Sequence, residues 1–242
     1  MTKGRGKFIV IEGTDGAGKG TQAELLIDAM RQFSTVTYFD FPRYTESVFG
    51  QVIGRALNGE FGNFLELNPY LSSLPYMLDR ASARDPMCKA LEQGHIVCNR
   101  YTTSSIAFQS SKLPLDKRNE FITFVESAEY GELGIPKPDL ILFLYVSAVV
   151  SDKLVEKKAQ RSYIGKGQKD LHEQDRNYQT AVAETYHTLA RWRPDWHVID
   201  CMDGDGILPV EKIHQKILSF VFPLIDPTIS VPETVHCAIP RP

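Results

Sequence analysis

Residues 8–33 constrain this chain more than any other segment. Phe8-Ile9-Val10-Ile11 is a short apolar run that reads as a buried strand. Gly13-Thr14-Asp15-Gly16-Ala17-Gly18-Lys19-Gly20-Thr21 follows, and beyond it Leu25, Leu26, Ala29, Met30 and Phe33 recur at helical spacing up to Phe33. Strand, glycine-rich turn and helix in immediate succession make a β–α unit of a parallel sheet. The glycines permit positive φ and let successive backbone N–H groups point inward. The helix N-terminus adds roughly half a positive charge, and Lys19 brings a mobile ammonium. Such a cradle fits the phosphates of a nucleoside triphosphate, with Gly13, Thr14, Asp15, Gly16, Ala17, Gly18, Lys19, Gly20 and Thr21 as its lining.

Most loops of this kind place Ser or Thr directly after the lysine, where the hydroxyl ligates Mg²⁺. Here that position is Gly20 and the hydroxyl comes one residue later, at Thr21. The wording GAGKGTQ resembles the loop of adenylate kinases, which implies a metal held largely through water and phosphates. It also leans toward nucleotide kinases over GTPases, and no Asn-Lys-x-Asp guanine-reading segment is present in the sequence.

The 242 residues suit one domain of ample size, or one domain with a small insert, 43% hydrophobic and 24% charged, as in ordinary soluble proteins. A net charge of −3 argues against a broad surface for nucleic acid or anionic membrane. Cys88, Cys98, Cys201 and Cys237 lack zinc or redox spacing, which suggests a reducing, cytoplasmic compartment. Met1 to Lys7 is short and basic, and the apolar run after it ends at Glu12, so a signal peptide is not expected.

Strand-like runs at Phe8–Ile11, Val36–Phe41, His95–Cys98, Leu140–Val146 and His197–Ile199 alternate with amphipathic stretches. The latter are Val48–Leu57, Pro69–Leu91, Lys117–Ala128, Asp152–Gln160 and Asp175–Arg191. The alternation predicts an α/β fold: a five-stranded parallel sheet with helices on both faces, of the phosphate-loop NTPase type. Ligands of such sheets bind beyond the carboxyl ends of the strands. We expect this domain to span residues 1–222, with a short lid at about 157–173. A proline-rich tail, 223–242, is expected to pack irregularly.

Several motifs fall in one order. Phe41-Pro42-Arg43-Tyr44 follows the second strand, and Tyr76-Met77-Leu78-Asp79-Arg80 lies on a long helix. The third strand leads into Asn99-Arg100-Tyr101-Thr102-Thr103-Ser104-Ser105-Ile106-Ala107-Phe108-Gln109. Pro136-Lys137-Pro138-Asp139-Leu140 opens the fourth strand, and Asp170-Leu171-His172-Glu173 lies past a basic loop. Over residues 6 to 221 the chain resembles thymidylate kinases, nucleoside monophosphate kinases that move the γ-phosphoryl group of ATP to dTMP.

Residue chemistry and resemblance can be set side by side. Arg43 and Arg100 each stand just past a strand end, and a guanidinium grips phosphate oxygens through two parallel bonds. The resemblance implies that they contact the acceptor phosphate, beside Pro42 and Ser104. Tyr76 precedes Arg80 by one helical turn, so both can face one cavity. In the family the aromatic stacks on thymine and the arginine reaches the base carbonyl. Gln109 matches the position that pairs with the base edge, and Phe108 or Tyr101 lines the sugar. Asp15 would repel a triphosphate unless aimed elsewhere; the resemblance gives it the acceptor 3′-hydroxyl. Glu12 reads either as a group near metal or as part of a buried network. The resemblance also implies a homodimer.

The basic segment Lys157–Glu173 carries Lys157, Lys158, Arg161, Lys166 and Lys169 around Gly165 and Gly167. A flap of this kind can close over the donor and supply transition-state charge. Family members place a catalytic arginine either in the phosphate loop or in the lid. Gly16 holds the loop position here, so Arg161 is the lid candidate, acting with Lys19, Arg100 and Asp15. The family motif usually starts with Asp where this chain has Asn99, and carries an acid where strand four has Tyr145. Asn99 and Thr21 are therefore the metal candidates, with water and phosphate supplying most of the Mg²⁺ ligands. A kinase for another nucleoside monophosphate or a deoxynucleoside, or a non-catalytic nucleotide-binding relative, would share these features.

Overall fold

The computed structural model describes residues 5–147, 149–151, 154 and 176–229. The expected helix Asp152–Gln160 apart from Leu154, the lid at 157–173 with Arg161, and the end of the tail from 230 lie outside those residues. Five parallel strands form the sheet: β1 (Phe8–Gly13), β2 (Val36–Asp40), β3 (His95–Asn99), β4 (Leu140–Tyr145) and β5 (Trp196–Asp200). Their spatial order is β2-β3-β1-β4-β5. β1 and β4 read as continuous apolar runs because both of their faces are covered. Each of the five strands matches a predicted one, so the fold class holds.

Helices α1 (Lys19–Arg31) and α8 (Val210–Ile225) cover one face. Leu26, Met30, Ile213, Ile217 and Val221 meet Ile9, Ile11, Leu142 and Leu144 of the sheet there. The other face carries α3 (Pro69–Ala81), α4 (Arg84–Gln93), α5 (Thr102–Ser110), α6 (Leu115–Glu126) and α7 (Arg176–Trp192). Phe8, Val10, Met87, Phe121, Phe143 and Tyr186 form its core, with Phe143 and Tyr186 stacked at 4.5 Å. α2 (Val48–Leu57) buries Ile53, Ala56 and Leu57 against Phe64 and Tyr76, a small cluster at the sheet's carboxyl edge.

Four expectations need correction. The stretch Pro69–Leu91 is two helices, broken at Ser82-Ala83. The Asp79 carbonyl is taken by Ser82 Oγ (2.8 Å) and Arg43 Nη2 (2.8 Å), while Ala83 N–H bonds to the Arg80 carbonyl, one residue short of the α-helical partner. The stretch Lys117–Ala128 begins earlier, at Leu115 behind Pro114, and passes into a π-helical turn, Ser127–Glu132. α5 and α8 were not anticipated as helices. α8 also runs through Pro223 to Ile225, so residues 223–225 belong to that helix and not to the expected tail. A small hairpin, β6 (Met202–Asp203) with β7 (Gly206–Ile207), follows β5.

Candidate active site

The phosphate loop occupies the turn between β1 and α1. Gly16 (φ 81°) and Gly18 (φ 80°) take the left-handed conformation that a Cβ would strain. Gly18 caps α1 without a side-chain hydrogen bond, so no side chain competes for the helix's leading N–H groups. Lys19 is buried, and its Nζ donates to the carbonyls of Gly13 (3.1 Å) and Thr14 (2.9 Å). Asp15 receives the Arg100 guanidinium, and Gln179 Nε2 lies 3.4 Å from its other oxygen. The Ser151 hydroxyl donates to the Asp15 carbonyl. An acid is tolerated in this loop because an arginine offsets it.

A cavity of about 220 Å³ opens beside the loop. Asp15 and Arg100 stand at its end nearest the loop, and Pro42, Tyr76, Arg80, Tyr101, Ser104, Phe108 and Gln109 complete the predicted wall. Arg100 itself has φ 61°, rare for a side chain with Cβ, and is pinned there by its N–H to Ile11 O at 3.0 Å. Its guanidinium lies 5.1 Å over the Phe108 ring and 3.4 Å from Ser104 Oγ. Burial opposes its charge, but Asp15, Tyr186 and Glu12 raise its pKa above the ordinary arginine value. It stays a cation.

At the far end Tyr76 packs on Phe64, ring centroids 6.2 Å apart. Gln109 Oε1 accepts from Ser72 Oγ at 2.7 Å, leaving the amide NH₂ as the group to offer a ligand. Arg80 is 2% exposed and largely committed to the protein. Its Nε and Nη2 donate to Glu129 at 2.7 and 2.6 Å, and Nη2 also to Ser105 Oγ at 2.7 Å. Burial works against this cation and Glu129 more than compensates, so its pKa is raised. Removing one partner of such a buried pair costs about 3–5 kcal/mol. Arg80 is thus a rigid piece of wall.

Arg43 is the predicted residue that the structure does not bring to the cavity wall. Its backbone N–H and Nε bond Asp79 at 2.8 and 3.1 Å, and Nη2 reaches the Asp79 carbonyl and the Ser82 hydroxyl. Phe41, Tyr44, Leu57, Asp79 and Ser105 line the cavity without having been singled out. All of these but Leu57 lie within the sequence motifs given above, which was the available signal. The two alternatives for Glu12 separate here. Fully buried, it accepts from Tyr101 N–H (2.9 Å), Ser104 Oγ (2.6 Å), Tyr186 OH (2.8 Å) and the Thr103 hydroxyl. It is the hub that ties β1 to α5 and α7.

Metal ligands are sparse. Among the described residues no three His, Cys, Asp or Glu side chains converge to hold an ion. Tyr145, where an acid was expected by resemblance, instead packs edge-on to His187 at 4.4 Å. Asn99 Oδ1 is buried without a hydrogen-bond partner, an acceptor that costs about 1–3 kcal/mol to leave unsatisfied. An orphaned oxygen at the end of β3 fits a hydrated divalent cation.

The sequence profile described as thymidylate kinase matches residues 11–217. A thymidylate kinase of Mycobacterium tuberculosis is 34% identical over 197 residues, 79% of this chain and 90% of that one. A thymidylate kinase of Danio rerio is 28% identical over 219 residues, 90% of each chain. The solved thymidylate kinase of Candida albicans superposes with a TM-score of 0.67 at 23% identity, over 89% of this chain and 90% of that one, a likeness of fold. With the phosphate loop and the neighbouring cavity in place, these matches show that the chain belongs to the thymidylate kinase family.

Proposed function

We propose that this chain transfers the γ-phosphoryl group of ATP to dTMP, giving dTDP and ADP, which is the reaction of its family. The observation that carries the reading is that Asp15, in the phosphate loop, is ion-paired to Arg100, and both line the adjoining cavity. ATP phosphates occupy the loop, where Lys19 exchanges its two carbonyl partners for phosphate oxygens. The dTMP phosphate meets Arg100, with Arg43 close behind once it yields part of its hold on Asp79. Thymine stacks on Tyr76, at roughly 1–3 kcal/mol for such a contact, and its edge meets Gln109 and Arg80. Tyr101 and Phe108 enclose the sugar, Ser104 flanks Arg100, and Asp15 accepts the 3′-hydroxyl. Catalysis of this kind is alignment and charge neutralisation, with little covalent help from the protein.

Asn99 Oδ1 and Thr21 would hold Mg²⁺ together with water and phosphate oxygens, and the ion would supply neutralisation of phosphate charge. Arg161 supplies lid charge to the transition state. The chain acts in a reducing cytoplasm, in keeping with free thiols at Cys88, Cys98 and Cys201. No helix among the described residues is long and apolar enough to cross a membrane. It works as a homodimer through the outer face of α3, where Leu71, Leu74 and Leu78 recur at helical spacing, 63%, 43% and 41% exposed.

A coupled ADP-release assay across dTMP, dUMP, dCMP, dGMP, AMP and thymidine tests the reading. We expect dTMP to give the highest kcat/KM. Turnover with another acceptor and none with dTMP would overturn it. Tight binding of ATP and dTMP without product would identify a non-catalytic relative.

A further inference from the structure

Asp40 and Asn99 end β2 and β3, and they are register partners across that parallel pair. Asn99 is in turn the register partner of Ile11 on β1, two residues before the phosphate loop opens at Gly13. Both residues therefore lie on the carboxyl edge of the sheet; Asn99 adjoins the strand that opens the phosphate loop, and each directly precedes a cavity-lining residue, Phe41 and Arg100. The charges around Asp40 agree with that placement. Burial raises the Asp40 pKa, and Arg100, the Tyr38 hydroxyl, Lys19 and the Asn99 amide each work against that rise. Among the described residues Asp40 makes no ion pair within 4.0 Å. Its neighbour's Oδ1 is the buried oxygen without a partner.

We propose that Asp40 is the carboxylate that holds the hydrated divalent cation of the donor nucleotide, with Asn99 as the neutral oxygen beside it. Mg²⁺ keeps several waters and needs only one or two protein carboxylates, the phosphates supplying the rest. One acid next to one amide meets that need. Two acids in register on neighbouring strands would repel each other, so the neutral residue at 99 spares Asp40 a like charge at this edge. The absence of charge at Asn99 and the presence of charge at Asp40 are then one feature. The metal's acid sits one strand further from the loop.

The inference rests on the donor-triphosphate reading and not on the identity of the acceptor. Its test uses the full chain loaded with a non-hydrolysable ATP analogue, without acceptor, and Mn²⁺ titrated by electron paramagnetic resonance. D40N should weaken Mn²⁺ binding about 10–100-fold, the usual cost of losing a carboxylate that orients a metal's shell. Affinity for the metal-free analogue should be unchanged or higher. The double variant D40N/N99D, which moves the carboxylate across the register, should return Mn²⁺ affinity to the wild-type range. Should D40N fail to fold, N99D serves: its melting temperature should drop without Mn²⁺ and recover with it. Equal Mn²⁺ affinity in wild type and D40N, or an N99D melting point indifferent to Mn²⁺, would overturn the proposal. A failure of dTMP turnover with the metal effect intact would instead strike the acceptor assignment alone.

Discussion

Lys19 donates to two carbonyls of its own loop, Gly13 at 3.1 Å and Thr14 at 2.9 Å, so it is parked where phosphate oxygens will replace those partners. Lys19→Ala should lower kcat by about 10²–10³-fold, the typical loss on removing one transition-state donor. The fold should barely respond: the hydrogen bonds to the loop are worth about 1 kcal/mol each, a few degrees in melting temperature at this chain length. Residual kcat near wild type would move the donor site elsewhere. At this scale the sequence revealed the cations but not their anchors. Arg80 and Arg100 were legible from their places after strands and on a helix turn. Glu129, 49 positions from Arg80, carried no signal because its role depends on a tertiary contact. The same holds for Arg43, whose grip on Asp79 depends on how the second strand's exit turn meets α3.

α2 lies directly against that exit turn. A Cβ on Gly50 would sit 2.1 Å from the Arg43 carbonyl oxygen, a contact no rotamer can relieve because both partners are backbone. The helix propensity gained by Gly50→Ala, about 1 kcal/mol, is smaller than the displacement it forces. We predict a net loss of roughly 1–3 kcal/mol, and a KM for dTMP raised more than the KM for ATP. Unchanged KM for dTMP would show that the Arg43 turn does not serve the acceptor. α5 illustrates an element that periodicity missed. Thr102-Thr103-Ser104-Ser105-Ile106-Ala107-Phe108-Gln109-Ser110 has no apolar stripe, being buried nearly all round. Its hydroxyls bond Glu12 and Glu129 instead, Ser104 at 2.6 Å and Thr102 at 2.7 Å, so a carboxylate network replaces the hydrophobic face. The break between α3 and α4 was equally hidden, since the competing donors at Asp79 come from side chains. β1, β3 and β4 were legible because burial on both faces leaves continuous apolar runs, and the half-buried edge strands β2 and β5 through their β-branched and aromatic residues.

For the molecule as a whole, pH and self-association give the clearest expectations. His214 is 1% exposed on α8, and burial lowers its pKa from 6.5 to about 4. Burial lowers His95 and His187 as well. The unfolded chain then binds more protons than the folded one below pH 6.5, so stability is lost as pH falls from 6.5 toward 4. For His214 this amounts to about 3 kcal/mol. His214→Gln should flatten the drop in melting temperature over that window, read by calorimetry; an unaltered slope would assign the acid sensitivity elsewhere. Wild type should sediment as a dimer of the 27.3 kDa chain, and Leu71→Glu as a monomer; a monomeric wild type would remove α3 as an interface. The central claim is that two nucleotides meet head to head across Asp15 and Arg100. An adenosine–oligophosphate–thymidine bisubstrate analogue tests it most directly, by steady-state inhibition. The account predicts competition against both ATP and dTMP; competition against one substrate alone would contradict it.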